Sequence, residues 1–577
     1  MAKFYYLKRN IVIEPLIARY YASPYLVSPC SAPRFFSYLV KKLLFSFSRA
    51  PEQHELILKN SQMQGGPFVS LPSECLFEVK NLLAELQEKL QDLFAVADAQ
   101  QTLWQHLATA QGENLETWVD KIPVPLQGVT ELFYERSGRA SYRIDEALFY
   151  HTKAYSVELQ EILLYPLLND KRDFVLTTPR LEKDNHLFIK IHHDSEILNK
   201  LVQTRFDPIL DIYPLAYALG LVEKDYVLFS SFFECATEPT RRRKDDRPSG
   251  LNGTMKTRYW GHACVEITTE SATILLDPLV AYEFPGLTDR RLTLFDLPES
   301  IDAIVITHLH LDHFCIETLL QLRSRVGVVI IAKAKGGTPI DPSPKWILHQ
   351  LGFKTIVELD STECYRVGDM TITAFPFCGE HGCLDITSKS IFKVSNGQTN
   401  LIFAADVRTA DTALLGHIAK LCGPVDYLYM GMESEGAPLS WIYGPLLDEP
   451  IDRKWDQSRR LNGSNADLGL KLVQGFKPKK VNIYALGREP WLSHLMKVDC
   501  DENAPNQKEI NYFSEQCKQQ GIAVETLFIY STDYLNQGTT SSSSSSSSFA
   551  KACEKVSSNV LGRDKKRCFA RIATEHT

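Results

Sequence analysis

The sequence predicts an α/β protein of at least two domains, with a metal-binding loop at the end of a buried strand. Three observations support this prediction. The chain has 577 residues, more than a single hydrophobic core usually accommodates. Apolar, β-branched runs such as 301–306 are typical of buried strands and occur beside helix-like stretches. Directly after that run come three histidines and an aspartate, which are His308, His310, Asp312 and His313.

Residues 1–236 are predicted to form a separate N-terminal α+β domain. Strand-like runs at 187–191 and 226–229 mix there with helix-like stretches at 78–93 and 156–168. No nucleotide-binding loop, nucleophile elbow or metal-ligand spacing is present in it. The cluster at 192–194 (His-His-Asp) lacks a third ligand at a suitable spacing, so we interpret it as a polar strand end.

Residues 237–252 are charged and contain proline and glycine, so they are predicted to be an interdomain linker. A catalytic domain is expected at 253–535. The remaining residues, 536–577, include eight consecutive serines (541–548) and are predicted to be a disordered tail.

The composition limits the possible partners and the compartment. The chain is 44% hydrophobic and 23% charged, which is ordinary for a globular protein, and a net charge of −7 argues against a nucleic-acid partner. The thirteen cysteines form no Cys-x-x-Cys pair and no secretory leader is visible, so we expect reduced thiols and a cytoplasmic location. The apolar stretch at 35–47 is interrupted by two lysines and too short to cross a bilayer, so no membrane partner is expected.

The histidine-rich run has the spacing of a site for two metal ions. His308 and His310 alternate along an extended segment and can face the same ion. Asp312 and His313 come after the chain has begun to turn, so they can bind a second ion nearby. Imidazole and carboxylate are the ligands that divalent first-row metals prefer. The alternative is a solvated polar turn.

Later segments supply candidates for the remaining ligands. Glu380 and His381 follow an apolar run and, as neighbours on an extended segment, should point to opposite sides, so only one of them is expected to face the metals. Asp406 follows another strand-like run, at 401–405. The strand expected at 481–487 carries no histidine, and we do not expect His494 to be a ligand.

The His-x-His-x-Asp-His run resembles that of the metallo-β-lactamase superfamily, whose αββα sandwich holds its metals at the loop ends of two packed sheets. Residues 259–267 and 274–278 look like the opening hairpin of that fold. Asp277 would then support the metal loop from outside the ligand set. His262 could line the site or be a structural histidine.

The sequence Gly379-Glu380-His381, the missing late histidine and the large N-terminal domain resemble one oxygenase family within this superfamily, typified by the chloramphenicol-biosynthesis β-hydroxylase. The resemblance implies two iron ions, with one held by His308, His310 and Glu380 and the other by Asp312, His313 and Asp406. Asp406 would bridge the two ions, and Glu380 and Asp406 would be the catalytic pair.

By the same resemblance, the protein is expected to be a di-iron monooxygenase of antibiotic biosynthesis. It would use O2 to hydroxylate, at the β-carbon, an amino acid tethered to the carrier domain of a nonribosomal peptide synthetase. An external electron donor is implied, and the N-terminal domain would serve in forming a homodimer or in docking the carrier. Residues 432–438 and 441–443 could line the substrate channel or form a surface loop.

A second interpretation is a binuclear hydrolase with two Zn²⁺ ions, acting on a lactone, phosphodiester or thioester. In that enzyme His381, and not Glu380, would be the third ligand of the first ion. Cys378 and Cys383 flank this position, and we expect both to be buried packing thiols.

Overall fold

The structure is a computed structural model that describes residues 3–60, 63, 66–236, 247, 253–496 and 504–535, together with the backbone of 567–568. The predicted linker and the predicted disordered tail therefore lie outside the described residues, apart from Arg247 and that two-residue strand. The predicted domain boundaries stay a prediction.

The N-terminal domain contains three small sheets. Its strands are β1 (Phe4–Leu7), β2 (Ile11–Ile17), β3 (Tyr20–Tyr21), β4 (Thr130–Tyr134), β5 (Ala140–Ile144), β6 (Gln160–Pro166), β7 (Leu187–Lys190) and β8 (Phe233–Ala236). The largest sheet is antiparallel with the order β3-β2-β6-β7, while β1 pairs with β8 and β4 pairs with β5.

Helices pack around these sheets. They are α1 (Pro24–Val27), α2 (Ala32–Phe35), α3 (Lys41–Arg49), α4 (Pro51–Leu58), α5 (Leu76–Lys89), α6 (Gln91–Leu107), α7 (Glu146–Phe149), α8 (Glu196–Gln203), α9 (Tyr213–Ala218) and α10 (Glu223–Ser231). A π-helical turn at Phe36–Val40 joins α2 to α3. The separate α+β domain predicted from the sequence is confirmed.

Two of the four local predictions in this domain are wrong. The strand at 187–191 and the helical character of 78–93 are confirmed by β7 and by α5 and α6. The stretch at 156–168, however, contains β6, which pairs on both sides and buries its first five residues. The run at 226–229 is one turn of α10, because a short apolar run does not by itself distinguish a strand from a helix.

The domain predicted to be catalytic is built on two large sheets. Its strands are β9 (Met255–Tyr259), β10 (Val265–Thr268), β11 (Thr273–Leu276), β12 (Ile301–Ile306), β13 (Val326–Ala332), β14 (Ile356–Leu359), β15 (Cys364–Val367), β16 (Met370–Pro376), β17 (Ser390–Ser395), β18 (Asn400–Phe403), β19 (Tyr427–Gly431), β20 (Lys480–Tyr484), β21 (Ala523–Thr526), β22 (Ser531–Leu535) and β23 (Arg567–Cys568). The first sheet has the order β14-β13-β12-β11-β10-β9-β22, and the second has the order β21-β20-β19-β18-β17-β16-β15-β23.

Each sheet has a parallel half, formed by β11–β14 in the first sheet and by β18–β21 in the second. The domain's helices are α11 (Ile316–Leu322), α12 (Pro344–Gln350), α13 (Thr412–Cys422), α14 (Leu439–Ile442), α15 (Arg453–Ser458), α16 (Ala466–Phe476) and α17 (Pro505–Gln519). None of the described helices is long and apolar enough to cross a bilayer.

The alternation of side chains along the central strands produces four layers. In β12, Ala303 and Val305 face the core between the two sheets, whereas Ile304 and Ile306 face the outer core that contains α11 and α12. The second sheet likewise packs its outer face against α13, α16 and α17. The predicted αββα sandwich is confirmed.

The N-terminal domain shares the outer core of the first sheet. Leu16 and Ile17 are buried in β2, and the hydrophobic cluster that contains Ile17 also contains Ile304 and Leu319. A buried ion network crosses the same boundary, because Arg172 donates to Glu14 at 2.5 Å and to Glu317 of α11 at 2.9 Å. The two domains therefore form one continuous packed unit.

Candidate metal centre

The histidine-rich run begins directly after β12, as the sequence predicts. His308 and His313 are 2% and 0% exposed, so these imidazoles are removed from water. Their rings lie 4.1 Å apart, and the ring of His310 lies 4.8 Å from that of His308. Because strand β12 is central in its sheet, its C-terminal end places these rings at the middle of the sandwich edge.

Asp277, which follows β11, orients two of these imidazoles. One of its oxygens accepts from the backbone N–H of Thr307, and the other accepts from the Thr307 hydroxyl and lies 2.8 Å from Nδ1 of His313. The Thr307 oxygen in turn lies 3.0 Å from Nδ1 of His308. With both Nδ1 atoms donating in this network, the Nε2 atoms of His308 and His313 present lone pairs to the centre.

Glu380 reaches the centre from the loop after β16. Its Oε1 lies 2.9 Å from Nδ1 of His310, and its Oε2 lies 3.8 Å from Nε2 of His308. Glu380 has a left-handed φ of 57°, so the segment is not extended at this point. The expectation that Glu380 and His381 point to opposite sides is therefore wrong, since the His381 ring also lies inside and stacks on His310 at 4.5 Å.

Asp406 completes the cluster from the loop after β18. Its Oδ2 lies 3.0 Å from Nε2 of His313 and 3.6 Å from Nε2 of His308. Gly431, at the end of the neighbouring strand β19, leaves the space that this carboxylate occupies, because a Cβ atom at position 431 would lie 2.6 Å from Oδ1 of Asp406.

Strained backbone is concentrated around the site. Left-handed φ values occur at the non-glycine residues that end the site-forming strands or begin their loops, namely His262, Asp277, Glu380, Ala405 and Ala485. Such conformations cost of order 1–3 kcal/mol each and persist where the surrounding structure fixes them. Their clustering at one edge of the sandwich marks this edge as functional.

The buried donor atoms fit metal ions. Nε2 of His308, Nε2 of His313 and Oε2 of Glu380 are buried and have no hydrogen-bond partner among the described residues. Donor atoms within 4.8 Å of one another form three overlapping groups, which are His308, His310, Glu380 and His381; His308, His313 and Asp406; and His262, Asp312 and His313. Buried carboxylates that converge on imidazoles need positive charge nearby, which protons or bound metal ions can supply.

The pKa shifts agree with this arrangement. Burial lowers the pKa of His308 well below its ordinary value, so the ring is neutral and can donate its lone pair. Burial also acts to lower the pKa of His313, but the carboxylates of Asp406 and Asp312 outweigh it and raise that pKa. Protons and metal ions therefore compete for the same positions.

Two further residues hold members of this cluster in place. His262 lies 2.8 Å from Oδ2 of Asp312 through Nε2, while its Nδ1 accepts from the backbone N–H of Gly487. This pattern makes Nε2 the protonated atom, so His262 supports Asp312 and is itself held by the backbone. The hydroxyl of Tyr443 lies 2.9 Å from Nε2 of His310 and so contacts that imidazole from outside the cluster.

Sequence reasoning identified Tyr443 only as a possible channel residue, because a tyrosine in a short helical segment carries no metal-site signal. Glu433, from the same part of the chain, is also close to the centre. Burial and the nearby carboxylates of Asp406 and Asp312 raise its pKa well above the ordinary value. The sequence signal that could have identified Glu433 is its position just after β19, the strand that pairs with β18, which precedes Asp406.

Other candidates do not join the cluster. His193 is buried and its Nε2 contacts the backbone oxygen of Glu161, which is a structural role. His494 lies 2.9 Å from Arg172 in the interdomain network. Cys378 is only half-buried and Cys383 is exposed, so the expectation of two buried packing thiols is wrong.

Comparisons with known proteins agree with this architecture. Residues 6–239 match the family model described as the diiron non-heme β-hydroxylase N-terminal domain, and residues 256–438 match a β-lactamase superfamily domain. The chain is 35% identical over 535 residues to the 4-amino-L-phenylalanyl-[CmlP-peptidyl-carrier-protein] 3-hydroxylase of Streptomyces venezuelae, covering 92% of this chain and 99% of that protein.

Solved structures give the same result. The crystal structure of CmlA, a diiron β-hydroxylase from Streptomyces venezuelae, superposes with a TM-score of 0.86 at 34% identity, over 93% of this chain and 100% of that one. A mutant of the CmlA β-hydroxylase gives 0.84 at 34% identity, over 92% and 100% of the two chains. These matches favour an oxygenase over a zinc hydrolase.

Proposed function

We propose that this chain, which belongs to the family of diiron non-heme β-hydroxylases, hydroxylates the β-carbon of an amino acid held as a thioester on a carrier domain of a nonribosomal peptide synthetase. The observation that carries the proposal is a buried cluster of imidazoles and carboxylates, which includes all six proposed ligands, inside a chain that matches a carrier-dependent hydroxylase along nearly its whole length.

The proposed ligands of one iron are His308, His310 and Glu380. The geometry supports this set, since Nδ1 of His310 and Nε2 of His308 both face the Glu380 carboxylate. His381 lies in the same group of donor atoms, with its Nδ1 3.2 Å from the backbone oxygen of Gly379. Glu380 is preferred to it as the ligand by likeness to the family.

The proposed ligands of the second iron are Asp312, His313 and Asp406. Oδ2 of Asp312 lies 3.5 Å from Nε2 of His313 on the side where Asp406 also approaches. Asp406 faces Nε2 atoms from both sets, which supports its proposed role as the bridging carboxylate.

The donor set favours iron. Three carboxylates supply hard, anionic oxygen ligands that stabilise ferrous and ferric ions and offset the charge of an oxidised pair, whereas an all-imidazole first site would suit zinc better. When bound, two iron ions supply the redox chemistry with O2 that zinc cannot perform. The residues of this chain would fix the ligands, keep water away through the buried Phe377 beside His308, and position the substrate.

Further parts of the proposal concern partners. Two electrons would come from an external donor, because hydroxylation by O2 consumes them and the proposed ligands bind no second redox group. A carrier domain would bring the substrate to the loop edge of the sandwich, where residues 432–438 and 441–443 could line its path. We also propose a homodimer, by likeness to the family.

The deciding experiment measures iron and zinc in anaerobically purified protein and then supplies the reduced protein with O2 and aminoacyl-loaded carriers. The 4-amino-L-phenylalanyl carrier named for the relative is the first substrate to try, followed by carriers loaded with other amino acids. We expect about two iron ions per chain and a product heavier by one oxygen atom. Full zinc occupancy with thioester cleavage and no added oxygen would contradict the proposal.

A further inference from the structure

The hydroxyl of Tyr443 fixes the orientation of His310. Tyr443 is fully buried directly after α14, and its oxygen lies 2.9 Å from Nε2 of His310. With Nδ1 of His310 binding the metal beside Glu380, as proposed, Nε2 is the nitrogen that carries the hydrogen and donates it to Tyr443. Without this acceptor, the ring could rotate or adopt the other tautomer.

Tyr443 is itself held by the N-terminal domain. The hydroxyl of Tyr25, in α1, donates to the Tyr443 oxygen at 3.2 Å, and the two rings pack edge to face with centroids 6.0 Å apart. An edge-to-face pair of this kind is stabilised beyond its buried area. The N-terminal domain thus reaches a proposed iron ligand through one intermediate side chain.

A buried arginine holds the segment that follows Tyr443. Arg34, in α2, is 0% exposed and donates to the backbone oxygen of Leu447 at 2.5 Å and to Oδ1 of Asp448 at 2.8 Å. Burying a guanidinium costs free energy unless its N–H groups are paired, so these contacts explain why the arginine is tolerated there. Together Tyr25 and Arg34 fix both the hydroxyl and the backbone around Tyr443.

We infer that Tyr443 is a positioning residue for His310, that Tyr25 positions Tyr443, and that the N-terminal domain thereby completes the metal centre of the neighbouring domain. This inference rests on the proposed assignment of His310 as a ligand. It gives the N-terminal domain a function at the metal centre in addition to any role in docking or dimerisation.

The test uses five variants of the full chain, namely Tyr443→Phe, Tyr25→Phe, the double variant, Tyr20→Phe and Tyr443→His. Tyr20 is the matched control, because its ring packs on Phe36 and its buried hydroxyl has no hydrogen-bond partner among the described residues. Ferrous ion is titrated anaerobically into each metal-free protein, and the visible spectrum of the cobalt-loaded protein reports the ligand geometry.

We expect Tyr443→Phe to weaken the binding of one metal ion by about tenfold, within the range typical for the loss of an outer partner of a ligating histidine, and to change the cobalt spectrum. Tyr25→Phe should have a smaller effect in the same direction. Because Tyr25 acts through Tyr443, the double variant should match Tyr443→Phe alone. Tyr20→Phe should bind metal like the unmodified protein.

Unchanged metal affinity in Tyr443→Phe would overturn the inference, and so would independent, additive effects of the two substitutions. Thermal unfolding of each metal-free variant identifies any loss of affinity that comes from misfolding, and Tyr443→His, which restores a polar partner, should then recover part of the affinity. If the affinities follow the expected pattern but no carrier-bound substrate is hydroxylated, the proposed function fails while the inference stands.

Discussion

Nδ1 of His310 lies 2.9 Å from Oε1 of Glu380, although one residue follows a strand of the first sheet and the other a strand of the second. This contact joins the two halves of the sandwich at the proposed first iron. A carboxylate in this position, rather than an imidazole, is the chemical feature that favours iron.

Glu380→Gln should remove one iron ion per chain and abolish hydroxylation, because a neutral amide is a much weaker ligand of nearly the same shape. Iron analysis after anaerobic purification and the carrier-based mass assay measure both effects. His381→Phe is the companion variant, since it keeps a ring to stack on His310 but offers no nitrogen ligand. It should retain iron. If Glu380→His keeps both iron and hydroxylation, the proposed ligand set is wrong.

Asp277→Asn should weaken metal binding by about 10–100-fold, because both carboxylate oxygens of Asp277 accept hydrogen bonds, one from the Thr307 N–H and the other from the Thr307 hydroxyl and His313, and the NH2 group of an amide would face one of these donors. Ferrous-ion titration of the metal-free protein measures the change. Asp302→Asn, on the adjacent strand β12, serves as the control and should bind metal normally. Equal metal affinity in the two variants would show that Asp277 does not orient the ligands.

Gly431→Ala should lower iron content and activity. The added Cβ would lie 2.6 Å from Oδ1 of Asp406, so the carboxylate must move away from the position between the two histidines. The matched control is Gly416→Ala in α13, where a Cβ meets nothing within 4 Å and should stabilise the helix by about 0.5–1 kcal/mol. Normal iron content in Gly431→Ala would show that iron binding does not require the Asp406 carboxylate in its present position.

Glu146→Gln should stabilise the protein at pH 8 and have little effect at pH 5. Burial raises the pKa of Glu146 to about 7, despite the backbone N–H groups of Gly337 and Ser343 that contact its Oε1. An unfolded glutamate ionises near pH 4.5, so as the pH rises from there to about 7 the folded state holds a proton that the unfolded state has lost. Stability therefore falls across that interval, by at most about 3 kcal/mol.

Glutamine keeps the acceptor without ionising, so its advantage should grow with pH. Denaturant unfolding at pH 5 and pH 8 measures the difference, and the exposed Glu131→Gln in β4 is the control. If the free energies of unfolding of Glu146→Gln and the unmodified protein differ by the same amount at both pH values, ionisation of Glu146 does not lower the stability.

The parts of the site that are local in sequence could be predicted from it. The run from His308 to His313 follows a strand whose apolar pattern is unambiguous, and the carboxylates at 277 and 406 each follow a strand as well. The αββα sandwich could be predicted because these motifs resemble those of the metallo-β-lactamase superfamily. The inward position of Glu380 and His381 together could not be predicted, because it depends on a left-handed residue that is not glycine.

Contacts between distant segments were also beyond sequence reasoning. Tyr443 lies beside His310, while Tyr25 of α1 contacts its hydroxyl and Arg34 of α2 contacts the segment that follows it, and nothing in residues 439–448 indicates this. The strand at 160–166 does not form the predicted helix, and its pattern lacks the alternation of a half-exposed strand because its first five residues are all buried.

The arginine at position 172 serves carboxylates from both halves of the chain, with Glu14 on one side and Glu317 on the other, all nearly inaccessible to solvent. Separating the two halves would leave the buried Glu317 without its counter-charge, at a penalty of about 3–5 kcal/mol, whereas Glu14 would keep both Arg172 and Arg180. A chimera that exchanges N-terminal halves among relatives must therefore keep Glu14, Arg172 and Glu317 together, since the boundary between the halves is a packed, charged interface.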